Sequence, residues 1–154
     1  IVDFAVQHRG ESLEQALPNR LPDAEGKSVI DFGFHIILTD VREDILREIP
    51  HSIEMGCPSF KIYMTYRDKI VDDSGLLNVL EQSAEHGGLV YIHCENDCAV
   101  THLIDKSLSR GEVAPRFHAH SRPPLVEGEA TNRALALAES PGVADGYTMV
   151  TFWV

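Results

Sequence analysis

The sequence carries too little positive charge to hold a polyanion. Its 13 lysine and arginine residues are outnumbered by 24 aspartate and glutamate residues, for a net charge of −11 at neutral pH. Nucleic acid and anionic membrane surfaces need a basic face, so neither is expected as a partner. No apolar run approaches the ~18 residues of a membrane-crossing helix, and no signal-peptide pattern is present. Cysteine is scarce: Cys57, Cys94 and Cys98 are odd in number and lack the paired spacing of a structural zinc site. A disulfide framework is therefore not expected, and the chain reads as belonging to a reducing, cytoplasmic compartment. No strand is followed by a glycine-rich phosphate loop of the G-x-G-x-x-G or G-K-[ST] type, which weakens a nucleotide-binding reading. Low-complexity linkers and internal repeats are absent too. The chain does not begin with methionine but opens in "IVDFAV", which reads as mid-strand and as a piece of a longer polypeptide.

What is present is a chain of 154 residues, 44% hydrophobic, enough for one domain with a real core. Short β-prone runs alternate with helical patterns. "IVDFAV" predicts a strand, followed by a short helix around Leu13 to Leu17 that Pro18 and Pro22 should end. "SVIDFGFHIIL" (Ser28 to Leu38) predicts a second strand. Asp40 and Glu43 form a D-x-x-E helix start, Ile45, Ile49 and Ile53 lie on one helical face, and Gly56 stops that helix. "SFKIYM" is the third strand. Asp73 or Ser74 should cap the next helix, whose Leu76, Leu77, Leu80 and Ala84 form an apolar stripe ending at Gly87-Gly88. "LVYIH" (Leu89 to His93) is the fourth strand, followed by a helix from Ala99 to Leu108. A Pro- and Arg-containing loop over 111–128 leads into a helix from Glu129 to Glu139. "YTMVTFWV" reads as a fifth strand. This alternation predicts an α/β fold with a parallel sheet, either open and doubly wound or part of a (β/α)8 barrel. A whole barrel takes ~250 residues. Five strands here would be about five of its eight.

The chemistry centres on "SFKIYMTYRD". Strand alternation puts Ser59, Lys61 and Tyr63 on one face and Phe60, Ile62 and Met64 on the other. The second set suits packing under helices, which turns Lys61 toward the interior of the sheet or barrel. A buried ammonium needs a partner, a shifted pKa or a chemical modification. Three readings are open: a lysine reaching water from a sheet edge, a Schiff-base nucleophile, and a lysine converted to an anionic metal ligand. In "LVYIHCEN", His93 closes the next strand at the same end. In parallel α/β proteins that end builds active sites.

Taken in order, "IVDFAVQ", "IDFGFH", "SFKIYMTY", "YIHCEN" and "HAHSRPPLVEGEATNRALALAE" resemble the hydantoinase/dihydropyrimidinase family of cyclic amidohydrolases, over nearly the whole chain. The resemblance implies that residues 1–154 are part of the catalytic metal-dependent barrel of such an enzyme. It implies that Lys61 is carboxylated by carbon dioxide and bridges two Zn2+ ions, and that His93 is a further zinc ligand. Tyr66 would bind the substrate carbonyl and stabilise the oxyanion, while a metal-activated hydroxide opens a hydantoin or dihydropyrimidine ring to an N-carbamoyl amino acid. The residues from Met64 to Asp73 would form a loop over a small cyclic ureide substrate, in a homo-oligomer that is tetrameric by the same resemblance.

Other residues are given structural roles. His118 and His120 form an "HAH" pair like those of metal sites, but in a loop, so metal binding is not expected of them. His35 should be packed and hydrogen-bonded, and Cys94 should point away from His93. Arg122, Glu127, Glu129 and Arg133 should form ion pairs between the loop and its helix. Asp3 and Asp31 require partners. The family's remaining ligands do not match: its upstream histidine pair, its later aspartate, and the histidine of the strand that here reads "GYTMVTFWV". Two recognisable ligands cannot hold two metals, so the isolated chain is expected to be inactive. The contrasting reading is a non-catalytic, dihydropyrimidinase-like binding protein with the same fold.

Overall fold

The computed structural model describes residues 1–140 and 143, together with the backbone of 147–151. Five parallel strands lie in chain order: β1 (Val2–Val6), β2 (Gly33–Ile37), β3 (Ser59–Tyr63), β4 (Leu89–His93) and β5 (Tyr147–Thr151). The connections carry helices α1 (Leu13–Arg20), α2 (Glu43–Glu54), α3 (Asp73–His86), α4 (Asp97–Ser109), α5 (Arg116–His120) and α6 (Pro124–Ala138). When parallel strands follow one another in order through right-handed crossovers, each crossover packs on the same side of the sheet, here through α1, α2, α3 and α6. That arrangement makes a sector of a (β/α)8 barrel and rules out the doubly wound alternative.

Burial follows the same logic. On the helix side Ala5, Ile36, Phe60, Ile62, Val90 and Ile92 are fully buried. They pack with Leu13 and Ala16 of α1, Ile45 and Ile49 of α2, Leu76, Val79 and Leu80 of α3, and Ala130 and Ala134 of α6. Phe4, His35, Tyr63 and Tyr91 point the other way and stay partly exposed. The polar and aromatic side chains thus line the concave face, and the aliphatic ones hold the helices.

Several boundaries differ from those predicted. Strand β2 begins at Gly33 rather than Ser28, because pairing with β1 starts only where Val2 faces Gly33; Val29 and Ile30 are exposed. Helix α1 runs through Pro18 to Arg20. The bond that proline cannot make would go to the carbonyl of Glu14, an exposed residue whose oxygen water can satisfy. Asp40 does not cap α2: Arg42 is the N-cap residue, and Asp40 accepts from the Gly10 N–H at 3.0 Å and pairs with Arg42. Asp72, not Asp73 or Ser74, caps α3 by accepting from the Gly75 N–H at 2.7 Å. A side chain at Gly75 would sit 2.7 Å from Val71 Cγ1, which explains a glycine in that first turn. Gly87 ends α3 with φ 75°, as expected. The segment 111–128 is not all loop, since it holds α5 and the start of α6, with Pro124 at the first helical position. In the predicted fifth strand, residues 152–154 lie outside the described residues.

Asp3 pairs with Arg20 at 2.6 Å, whereas Asp31 lies ahead of β2 and is exposed, so water satisfies its carboxylate. Cys57 and Cys94 are buried and Cys98 is exposed, all as free thiols. Among the described residues no helix is long and apolar enough to cross a membrane.

The carboxyl ends of the strands are braced by Gln7, which is fully buried after β1. Its Nε2 donates to the carbonyls of Glu11 and Asp40, both at 3.1 Å. Its Oε1 accepts from the N–H groups of Thr39 at 3.1 Å and Asp40 at 3.3 Å. One amide with every site satisfied ties the first two strand-to-helix loops together.

Candidate active site

Lys61 is 3% exposed on the concave face of β3. Its Nζ lies 5.1 Å from the centroid of the Tyr63 ring, a cation–π contact. Burial lowers its pKa from 10.5 to about 8, which raises the share of unprotonated amine near neutral pH above that of a solvated lysine. The edge-lysine reading fails on burial: this residue is interior.

The register of β3 and β4 sets Lys61 opposite Tyr91 and Tyr63 opposite His93, so the lysine stands two pairs deeper than the histidine on the same face. His93 is 9% exposed. Burial lowers its pKa, its hydrogen bond with the Glu95 carboxylate opposes that shift, and the charges of Lys61 and Arg122 reinforce it. Its ring lies 5.5 Å from Tyr63 and 5.4 Å from Tyr66, the latter stacked at 30°. The structure therefore brings Lys61, His93 and Tyr66 together around Tyr63.

Tyr66 is placed by an unusual turn. Its φ of 72° is the one positive value at a non-glycine among the described residues. An aromatic residue held there stores ~1–3 kcal/mol of strain, and such outliers gather at functional sites. The turn is closed by the N–H groups of Lys69 and Ile70, which donate to the Tyr66 carbonyl at 2.8 and 2.7 Å. Beside it the buried Thr65 hydroxyl donates to Asp97 Oδ1 at 2.9 Å, anchoring the loop to the first turn of α4. The loop after β3 thus spans 64–72, one residue shorter than predicted.

The residues given structural roles mostly take them. His35 Nδ1 lies 2.6 Å from Ser59 Oγ, and its ring packs 4.7 Å from Tyr91. Cys94 is buried, with its thiol pKa pushed up to about 11 by desolvation. His118 and His120 stand on α5, where His118 Nδ1 meets Arg122 at 3.3 Å. Arg133 pairs with Glu129 at 3.0 Å and with Asp73.

Arg122 departs from expectation: it turns away from Glu127 and Glu129 and bonds Glu95 at 3.2 Å. Glu95 in turn meets His93 Nε2 at 3.2 Å. Glu95 is not among the residues singled out from the sequence, although strand alternation beyond His93 carries it back to the same side.

The donor chemistry fits part of a metal centre. Lys61 offers an amine able to take up CO2, and His93 offers Nδ1, the ring nitrogen that Glu95 does not engage. Among the described residues no group of three or more His, Cys, Asp or Glu could hold a metal, so these two donors do not complete one.

A parallel barrel sector with a buried lysine, a histidine and a strained tyrosine at the strand ends defines a β/α-barrel protein with its site at the carboxyl mouth. No family model matches the chain. It is 47% identical over 140 residues to a D-hydantoinase of Rhizobium radiobacter, covering 90% of this chain and 31% of that protein. It is 43% identical over 143 residues to a D-hydantoinase of Streptomyces coelicolor, covering 92% of this chain and 31% of that protein. A solved D-hydantoinase structure aligns with a TM-score of 0.88 at 46% identity, over 90% of this chain and 31% of its own. The crystal structure of dihydropyrimidinase from Brevibacillus agri aligns with a TM-score of 0.91 at 38% identity, over 97% of this chain and 32% of its own. By sequence and by fold the chain belongs to the hydantoinase/dihydropyrimidinase family. It spans 31% of the length of the curated relatives named here.

Proposed function

We propose that this chain supplies part of an active site that hydrolyses the ring amide of a cyclic ureide of the hydantoin or dihydropyrimidine class. Water adds across the C(O)–N bond: its oxygen joins the carbonyl carbon, a proton goes to the ring nitrogen, and an N-carbamoyl amino acid leaves. The observation carrying this reading is the placement of Lys61, buried with a pKa of about 8, beneath His93 and Tyr66 at one strand end.

In this reading the Lys61 amine attacks CO2, an N–C bond forms, a proton departs to solvent, and the side chain becomes a carbamate anion. The carbamate and His93 would be two of the donors to a pair of zinc ions. The metals, when bound, would supply Lewis acidity and lower the pKa of water. Tyr66 directs its phenol O–H at the ring carbonyl as negative charge develops there, and its backbone turn makes that orientation rigid. Residues 64–72 form the wall beside the ring substituent and thereby bear on which substituents fit.

The test is a graft. The 140 matched residues of this chain replace their counterparts in the Rhizobium radiobacter relative, and hydantoin and dihydrouracil turnover and zinc content are measured. The graft should turn over at least one of the two. Tyr66→Phe should lower kcat about 100- to 1000-fold with zinc retained, and Lys61→Ala should lose both zinc and turnover. A zinc-free, inactive graft would favour the non-catalytic binding-protein reading.

A further inference from the structure

Glu95 is the one carboxylate buried among the described residues, at 9% exposure. It is not isolated. Its Oε2 lies 3.2 Å from His93 Nε2, and Arg122 Nε straddles the carboxylate at 3.2 Å from Oε1 and 3.3 Å from Oε2. The side chains of His93, Glu95 and Arg122 are only 11%, 12% and 18% exposed. Arg122 is itself held, with Nη1 at 3.2 Å from Ser121 Oγ and 3.3 Å from His118 Nδ1. Ser121 is buried, and its hydroxyl donates to the His118 carbonyl at 2.8 Å. The neighbouring Asn96 ties the loop after β4 to α6, with its N–H on the Val126 carbonyl at 3.2 Å and its Nδ2 on Glu129 at 2.6 Å.

Burying a carboxylate and a guanidinium strips both of water, and such a pair commonly stabilises a fold no better than apolar side chains of the same volume. Stability is therefore a weak reason for charges at this position. The geometry gives a better one. An imidazole meeting a carboxylate through Nε2 keeps its proton there, which leaves the lone pair on Nδ1 and fixes the ring plane.

We propose that Glu95 and Arg122 form a positioning pair for His93. Glu95 accepts the Nε2–H and selects one tautomer, and Arg122, reaching in from the turn between α5 and α6, holds the carboxylate on the ring. The segment 116–122 is then part of the site's supporting framework although none of it lies on a strand. What the Nδ1 lone pair binds rests on the function proposed above, whereas the fixing of the ring does not.

The experiment reads the ring nitrogens directly. The metal-free chain is labelled with 15N, and long-range 1H–15N correlations of His93, assigned by their loss in His93→Gln, report which nitrogen carries the proton. The wild-type chain should show one tautomer, protonated at Nε2. Glu95→Ala and Arg122→Met should each give a mixture of tautomers. Glu95→Gln, whose carbonyl still accepts, should restore the single form, a rescue that mere packing would not predict. Should Glu95→Ala fail to fold, Arg122→Met and Glu95→Gln decide the question. A His93 tautomer unchanged by loss of either partner would overturn the proposal. In the graft described above, Glu95→Ala should weaken zinc affinity about 10- to 100-fold. A graft inactive with Glu95 intact would refute the proposed function and leave the ring test standing.

Discussion

Replacing Lys61 by methionine removes the amine while keeping a side chain of similar length. Burial at 3% exposure brings the lysine pKa down from 10.5 to about 8, and that depression sets the size of the effect. At ~1.4 kcal/mol for each tenfold change in proton affinity, forcing the ammonium into the folded chain at pH 7 costs about 3 kcal/mol. The sign is set by proton counts. Between about pH 8 and 10.5 the unfolded chain holds the proton and the folded chain does not, so stability rises with pH across that window. Below about pH 8 both states are protonated and the whole penalty is felt. Between pH 7 and 10.5 the metal-free wild-type chain should therefore gain up to ~3 kcal/mol of stability relative to Lys61→Met. Urea unfolding in CO2-free buffer at pH 7, 9 and 10.5 measures it. A difference between variant and wild type that ignores pH, or that moves the other way as pH rises, would refute the reasoning.

Three further outcomes are expected. Tyr66→Gly relieves a positive φ and should stabilise the fold by ~1 kcal/mol in urea unfolding while lowering turnover of the graft, so stability and activity move in opposite directions. Glu48 of α2 accepts from the Leu13 N–H at 2.6 Å and so caps α1 from a neighbouring helix; Glu48→Ala should cost ~1 kcal/mol, read from the urea midpoint. An aromatic disulfide reagent at pH 8 should label Cys98 alone in the native chain, because Cys57 and Cys94 are buried with thiol pKa values of about 11, and all three after denaturation.

The fold is most legible where local pattern and tertiary demand coincide. "LVYIH" is a strand with the predicted bounds because its apolar run is enclosed by Gly87-Gly88 and the polar "CEND". Alternation alone places Lys61 and His93 on one face, and the register shows them two pairs apart. Legibility falls where a choice depends on a distant partner. Val29 and Ile30 look β-prone but have no strand beside them, so β2 starts five residues late. In "DDS" each residue is an acceptable cap, and the close approach of Gly75 to Val71 marks the first of them as the start. Arg122 has carboxylates nearby in sequence yet pairs with one 27 positions away, a contact that only the fold creates. The φ of Tyr66 has no local signature, since nothing in "MTYRD" calls for a left-handed residue.

Uptake of carbon dioxide by the Lys61 amine is the step on which the proposed chemistry turns. Carbon NMR of the grafted enzyme, equilibrated with 13C-bicarbonate and zinc beside its Lys61→Ala variant, observes it without an intermediary. A slowly exchanging carbamate resonance should be present in the first and absent from the second. No such resonance in a zinc-loaded, active graft, or an identical one in the variant, would rule the carbamate out.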